Sequence, residues 1–194
     1  MSGFYSKIEQ KKLGLKKIGK DCKISKLSRF ISKDIIIGDR CRIDDDVVFK
    51  GKIKLGNNIH IARGCTLSGG EKGIILDDFA ALSNFVQVFT STDHYISNSI
   101  PSATLNKKNQ RKFSNVISKN IKIGKSVLVG SFSVILPGCV LEDFSSVAAH
   151  CIVYDKVKKG NFLNTNNIIK TIKLRDFKDM QKKMKILNKQ LRQQ

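Results

Sequence analysis

Tryptophan is absent from this 194-residue chain, proline occurs twice, and histidine and tyrosine three times each. With no Trp and no basic strand interleaved with aromatics, the sequence matches no nucleic-acid module. No CxxC or HxxxH spacing occurs, which argues against the common metal frameworks, so no metal is expected. No apolar run approaches about 18 residues, so no segment reads as a membrane-spanning helix. The opening stretch MSGFYSKIEQKKLGLKK has no apolar core of the kind a secretory leader carries. Acidic residues are also scarce, 16 against 36 basic ones, leaving a net charge of +20. The five cysteines are odd in number and unsuited to a disulfide framework, so they are expected as reduced, buried thiols in the cytoplasm.

What the chain does have is a six-residue beat. Aliphatic or Phe residues recur at Ile18, Ile24 and Phe30, at Ile37, Ile43, Phe49, Leu55, Ile61 and Leu67, and at Leu76, Leu82 and Val88. The beat returns at Ile123, Val129, Ile135, Leu141, Val147 and Val153. A period of six fits neither a helix nor a strand meander; it fits a parallel β-helix whose short strands are the sides of a triangular coil. Grouped in threes, the units make about six coils, and every slip in the beat follows a third unit. Loops therefore leave at one corner of the prism, where they do not break the stacked ladders. All five cysteines (22, 41, 65, 139, 151) fall at the fifth, inward position of a unit.

Three segments are expected: a basic N-terminal cap over 1–17, the prism over 18–158 with a loop over 94–120, and a C-terminal segment over 159–194. In the last, Phe177, Met180, Met184, Leu187 and Leu191 keep a three-four spacing that predicts an amphipathic helix. That helix either caps the final coil or joins subunits. Basic residues concentrate at the ends, ten against two acidic ones over 1–33 and nine against two over 170–194. A solvated lysine surface, attraction of phosphorylated substrates, and weak adhesion to an anionic membrane face are the three readings of this charge.

Function rests on the residues that interrupt the prism, because the fold alone names none. The long insertion opens FTSTDHYISNSIP, and a loop of this length in a tight solenoid is usually functional. His94 stands at the point of extrusion between Asp93 and Tyr95, where an imidazole is suited to take a proton near neutral pH. His60 and His150 lie at other places in the repeat, each as readily a polar corner residue as a chemical one.

The segment IKIGKSVLVGSFSVILPGCVLEDFSSVAAHCIV, with IIIGDRCRIDD, KIKLGNNIHIARGCTLSGGEKGIILDDFAALS and the TSTDHY turn, resembles the hexapeptide-repeat acyltransferases. The resemblance covers most of the chain and is strongest to the sugar O- and N-acetyltransferases of surface-polysaccharide synthesis. It implies a left-handed prism, a homotrimer with active sites between neighbouring prisms, and acetyl-CoA as acyl donor. By motif, His94 would deprotonate the acceptor and Asp93 would orient it or bind substrate. Gly130 and Ser131 would offer a backbone amide to the thioester oxygen, and Ala148 and Ala149 would let the pantetheine arm approach. Tyr154, Lys173 and Arg175 would lie toward the nucleotide end of CoA, with His60, Asn84 and Tyr95 toward the acceptor. The chain departs from the pattern in Ala148-Ala149-His150-Cys151, which brings His150 to the cofactor, and in a Pro-free turn over 164–169.

An acetyl thioester is already activated, so alignment, one proton transfer and oxyanion stabilisation suffice. The resemblance thus implies an acetyl-CoA-dependent acetyltransferase acting on a hydroxyl or amino group of a glycan precursor. The narrower alternative is N-acetylation of a nucleotide-linked 4-amino-4,6-dideoxy sugar. A non-catalytic β-helix scaffold is the alternative of another class, and it gives no reason for the extruded loop.

Overall fold

The computed structural model describes residues 3–97, 104 and 106–164, together with 178, 181, 182, 185, 186, 189 and 193. It is a left-handed parallel β-helix with three faces. The first face stacks Ile18, Ile37, Leu55, Leu76, Ile123, Leu141 and Val157, one residue per coil, in parallel register. The second stacks Ile24, Ile43, Ile61, Leu82, Val129, Val147 and Leu163. The third stacks Phe30, Phe49, Leu67, Val88, Ile135 and Val153. From Ile37 through Leu163 these side chains are buried, each worth roughly 1.5–3 kcal/mol relative to exposure.

The prism has seven coils where the beat gave about six. Val157 begins the seventh only four residues after Val153, and Leu163 follows at the normal spacing. The shortening falls after a third unit, at the corner where every other irregularity falls.

Most corners after the first and second faces are turned by a residue with positive φ at the fourth position of the unit. Ten of these are not glycine, among them Asp21, Arg40, Asn58, Phe85, Phe132 and His150. The second position follows a sharper rule along the corner after the first face. Asp39, Asn57, Asp78 and Asp143 each accept, through the side chain, the backbone amide of Lys20, Asp39, Asn57 and Lys125 one coil away, at 2.7–2.9 Å. The side-chain oxygen lies where a Cβ at the preceding coil's second position would go, 2.4–2.8 Å from it at Gly19, Gly38, Gly56 and Gly124. Asp77 and Glu142 hold this position on coils four and six, where Lys125 and Lys159, one coil on, present no such oxygen at that place.

Over the N-terminal end lies helix α1 (Lys7–Lys12), started by a reciprocal capping box between Ser6 and Glu9. Gln10 is buried, and its amide donates to the carbonyls of Tyr5 (3.1 Å) and Cys22 (3.0 Å), which seats the helix on the first coil. In the C-terminal segment, positions 178, 181, 182, 185, 186 and 189 are helical and exposed, Ile186 being the apolar one among them. Phe177, Met180, Met184, Leu187 and Leu191 lie outside the described residues, as do Lys173 and Arg175. No helix among the described residues is long and apolar enough to cross a membrane.

Candidate active site

The corner between the second and third faces collects small and polar residues on successive coils. Coil four contributes Ser83, Asn84 and Phe85, coil five Gly130, Ser131 and Phe132, and coil six Ala148, Ala149 and His150. The coils approach closely here. A Cβ at Gly130 would come within 2.4 Å of the Ala149 nitrogen, so only glycine fits beneath Ala148 and Ala149. The Gly130 amide donates to the Val147 carbonyl at 2.8 Å and is therefore committed to the ladder. Of the pair expected to face the thioester, Ser131 is the one whose amide has no partner among the described residues.

Along the same corner Phe85, Phe132 and His150 form a column of stacked rings, with centroids 5.0 and 5.1 Å apart and planes within 15°. All three are exposed at their edges. His150 turns the corner with φ 57°, and its amide donates to the Ser131 carbonyl, so its ring is held by Phe132 beside the alanines. His60 lies on the outer side of the second face in coil three. Its Nε2 is 2.8 Å from Asp44, which also accepts from Arg42 at 2.7 Å. Partial burial would raise the Asp44 carboxyl, but the hydrogen bonds from Arg42 and His60 outweigh it and hold the group below its ordinary value.

The insertion leaves from the next corner, after the third face. Its neck is Thr90, whose amide (3.1 Å) and hydroxyl (3.0 Å) both donate to the Ser68 carbonyl while its own carbonyl accepts from the returning Lys119. Beyond the neck, Ser91–Asp93 and Val116–Ser118 pair as an antiparallel ribbon, so the extruded element starts earlier than residue 94. A second helix, α2 (Lys107–Phe113), capped by Asn106, lies within the insertion. His94 donates its amide to the Asn115 carbonyl (2.8 Å), and its carbonyl accepts the amide and the hydroxyl of Ser97, closing a turn. Its Nδ1 is buried and unpartnered among the described residues. Asp93 is exposed at the ribbon's end, and Tyr95, also exposed, shares a 2.7 Å hydrogen bond with Thr92.

One chain thus holds two groups of candidate residues on different corners. Ser83, Asn84, Gly130, Ser131, Ala148 and Ala149 line the first. Asp93, His94 and Tyr95 stand on the ribbon from the second, where Tyr154 also lies, 60 % exposed in coil six. Among the described residues no group of three or more His, Cys, Asp or Glu side chains is placed to hold a metal ion.

No protein-family model matches the sequence. A dTDP-4-amino-4,6-dideoxy-D-glucose acyltransferase of Escherichia coli is 30 % identical over 154 residues, covering 77 % of this chain and 78 % of that protein. The N-acyltransferase AntD from Bacillus cereus, solved with dTDP and 3-hydroxybutyryl-CoA, superposes with a TM-score of 0.89 at 30 % identity, over 98 % of this chain and 99 % of its own. The GDP-perosamine N-acetyltransferase of Caulobacter crescentus is 11 % identical over 74 % of this chain and 52 % of its own, and its TM-score of 0.54 is a likeness of fold alone. AntD has also been solved with one aspartate replaced and with one serine, ten positions earlier, replaced. Serine–aspartate pairs ten apart occur in this chain at Ser68/Asp78, Ser83/Asp93, Ser133/Asp143 and Ser145/Asp155, and of these the one that joins the corner of small residues to the extruded ribbon is Ser83/Asp93. Ser83 was not among the candidates read from the sequence, since small residues at a second position read as structural. The signal was there in the corner column, where Ser83 sits beside Asn84.

Proposed function

The chain belongs to the sugar acyltransferases of the dTDP-4-amino-4,6-dideoxy-D-glucose type, and on that footing we propose that it moves an acyl group from acyl-CoA to the 4-amino group of a dTDP-linked 4-amino-4,6-dideoxy sugar. The observation that carries this reading is the Ser83–Asp93 pair, which matches in residue type and spacing the two positions altered in a neighbour solved with that amino sugar and CoA. The amine attacks the thioester carbonyl, a tetrahedral oxyanion forms, and CoA leaves as the thiolate. The attacking nitrogen must shed a proton, and the Asp93 carboxylate takes it. The Ser83 hydroxyl holds the amine in line, the unpartnered Ser131 amide faces the oxyanion, and Ala148 and Ala149 leave room for the pantetheine arm.

His94 supports the turn that presents Asp93. Its Nδ1 is enclosed and unpartnered among the described residues, which leaves Nε2 as the ring nitrogen for a second reading, in which the imidazole itself takes the proton. The two corner groups meet most simply between copies, so the working unit is a homotrimer with each ribbon reaching a neighbour's prism. The net charge of +20 attracts a diphosphate-linked acceptor and CoA alike, and would give weak adhesion to an anionic membrane face. The product is a building block for surface-polysaccharide synthesis, made in the cytoplasm.

The test is free-thiol release from acetyl-CoA with dTDP-4-amino-4,6-dideoxyglucose and with hydroxy-sugar controls. Asp93→Asn should lower kcat by roughly 10²–10⁴-fold and His94→Gln by less than about tenfold. The reverse ranking gives the base to His94. Turnover of the hydroxy sugars alone, with a product cleaved by hydroxylamine, overturns N-acylation.

A further inference from the structure

The long insertion is pinned at its base by a single buried side chain. Among the described residues from 90 to 120 only Thr90 is buried, at 1 % exposure. It stands beside a shelf. The strands Val48–Leu55 and Thr66–Leu76 run unbroken over the corner after the third face, paired in parallel, and the ribbon leaves from the next coil. The Thr90 amide (3.1 Å) and hydroxyl (3.0 Å) share one acceptor, the Ser68 carbonyl, and so use both lone pairs of that oxygen. Room for the hydroxyl comes from Gly70, where φ is 49° and a Cβ would lie 3.3 Å from Oγ1. On the other side the Thr90 carbonyl accepts the Lys119 amide at 2.9 Å. The Lys119 stem lies over Gly138, where a Cβ would come 2.9 Å from it. The outgoing strand is thus seated on coil three and the returning one on coil five.

The hydroxyl is not needed to complete the ladder. The Thr90 amide alone gives the Ser68 carbonyl a partner, so a methyl in place of the hydroxyl leaves no buried donor or acceptor orphaned. What the second bond adds is direction, because it ties the side chain of the pivot residue, as well as its backbone, to one atom of coil three. Asp93 lies three residues farther out, about 10 Å along an extended strand, so a swing of about 10° at the neck carries its carboxylate about 2 Å. A misplacement of about 1 Å suffices to slow a reaction on the order of 10²-fold.

Building on the ribbon's proposed part in catalysis, we propose that Thr90 is a positioning residue for acyl transfer. Its hydroxyl, held by the Ser68 carbonyl in the space left by Gly70, sets the angle at which the ribbon delivers its proton-accepting group to the acceptor amine. Thr90 touches no reactant and acts through the group at the ribbon's end.

The experiment compares full-length Thr90→Val and Thr90→Ser with the parent, using acetyl-CoA and dTDP-4-amino-4,6-dideoxyglucose, thermal melts and amide hydrogen exchange. Thr90→Val, which keeps the branched shape, should lower kcat about 10–100-fold and leave the KM for acetyl-CoA within about twofold, since the CoA contacts are assigned to the other corner. Thr90→Ser, which keeps the donor, should bring kcat back to within about threefold of the parent. Both should melt within about 4 °C of it. In Thr90→Val exchange should quicken over Ser91–Asp93 and stay slow in the coils. Combined with Asp93→Asn, Thr90→Val should cost little more, because a carboxylate already lost cannot be misplaced. Full kcat in Thr90→Val, an equal loss in Thr90→Ser, or losses that multiply with both Asp93→Asn and His94→Gln overturns the proposal. Unchanged exchange over Ser91–Asp93 overturns it whatever the acceptor. Losses that multiply with Asp93→Asn but not with His94→Gln uphold Thr90 and move the base to His94, so the two readings fail separately.

Discussion

A glycine and an Asx side chain one coil apart act as one unit in this prism. At Gly38 an added Cβ would lie 2.3 Å from the Gly56 carbonyl oxygen and 2.8 Å from the Asn57 amide oxygen. The obstacle is backbone, which cannot swing away, so Gly38→Ala should destabilise the fold by about 1–3 kcal/mol, read as a lower urea midpoint. Asp78→Ala leaves the space but orphans the Asn57 amide it accepts at 2.7 Å, and should cost about 1 kcal/mol. An equal loss from both would mean that steric exclusion is not what selects glycine. Asp44 adds a pH signature. Its folded value is depressed, so its contribution is present above the ordinary carboxylate value of 3.8 and fades as pH falls through the folded value. Asp44→Asn should therefore lower stability at pH 7 by less than about 1 kcal/mol, with no difference from the parent well below pH 4.

Helix α1 shows how a short element holds its place. Six residues would not stay helical alone, and what fixes them is the Ser6–Glu9 box and the Gln10 amide on the Cys22 carbonyl. The Glu9 carboxylate is held down to about 2, chiefly by the hydrogen bond from Lys26 at 2.8 Å, with the Ser6 amide and hydroxyl adding to it. A depressed acid stabilises docking above its unfolded value of 4.5, and that support is lost as pH falls from 4.5 toward 2. Glu9→Gln removes the same support at pH 7, so maleimide labelling at Cys22 should quicken in this variant while Cys65 stays slow. Unchanged labelling would mean that the helix does not screen the thiol.

The coils were legible in the sequence because each inward residue repeats every six positions, and the loop corner was legible because the slips share one phase. The seventh coil was not, since Val157 follows Val153 by four residues and breaks the beat. Cys22 was expected to be buried like its four counterparts and is half-buried, because a repeat pattern assigns inward positions without saying which coil is last. Asp93 and His94 stood out as interruptions, whereas Ser83 kept the pattern and so passed for scaffold. The commitment of the Gly130 amide to Val147 could not be read from composition either, because it depends on which coil lies next in the stack.

At the level of the assembled protein, the two corner groups make a quantitative expectation. If each active site takes Ser83 from one chain and Asp93 from its neighbour, two inactive variants should complement. Ser83→Ala and Asp93→Asn chains, mixed as unfolded protein in equal amounts and refolded, would form mixed closed trimers with one intact site apiece. Recovery should approach roughly a quarter of wild-type activity, since three-quarters of random trimers are mixed and each has one good site in three. Both sites within one chain would give no recovery, and light scattering during the assay reports the trimer directly.

The shared corner of all the irregularities gives the prism the property of a ruler with interchangeable graduations. A whole coil contributes nearest-neighbour contacts only, so its removal or duplication shifts everything beyond it by one strand spacing of about 4.8 Å without turning any side chain to a new face. Copying the coil Ile37–Lys54 before Leu55 should lengthen the molecule at its N-terminal end and leave the corner of Ser83, Gly130 and Ala148 and the neck at Thr90 in their mutual positions. Such a graft, with acyltransfer intact, would make the distance from cap to catalytic corner an adjustable dimension, set by counting coils.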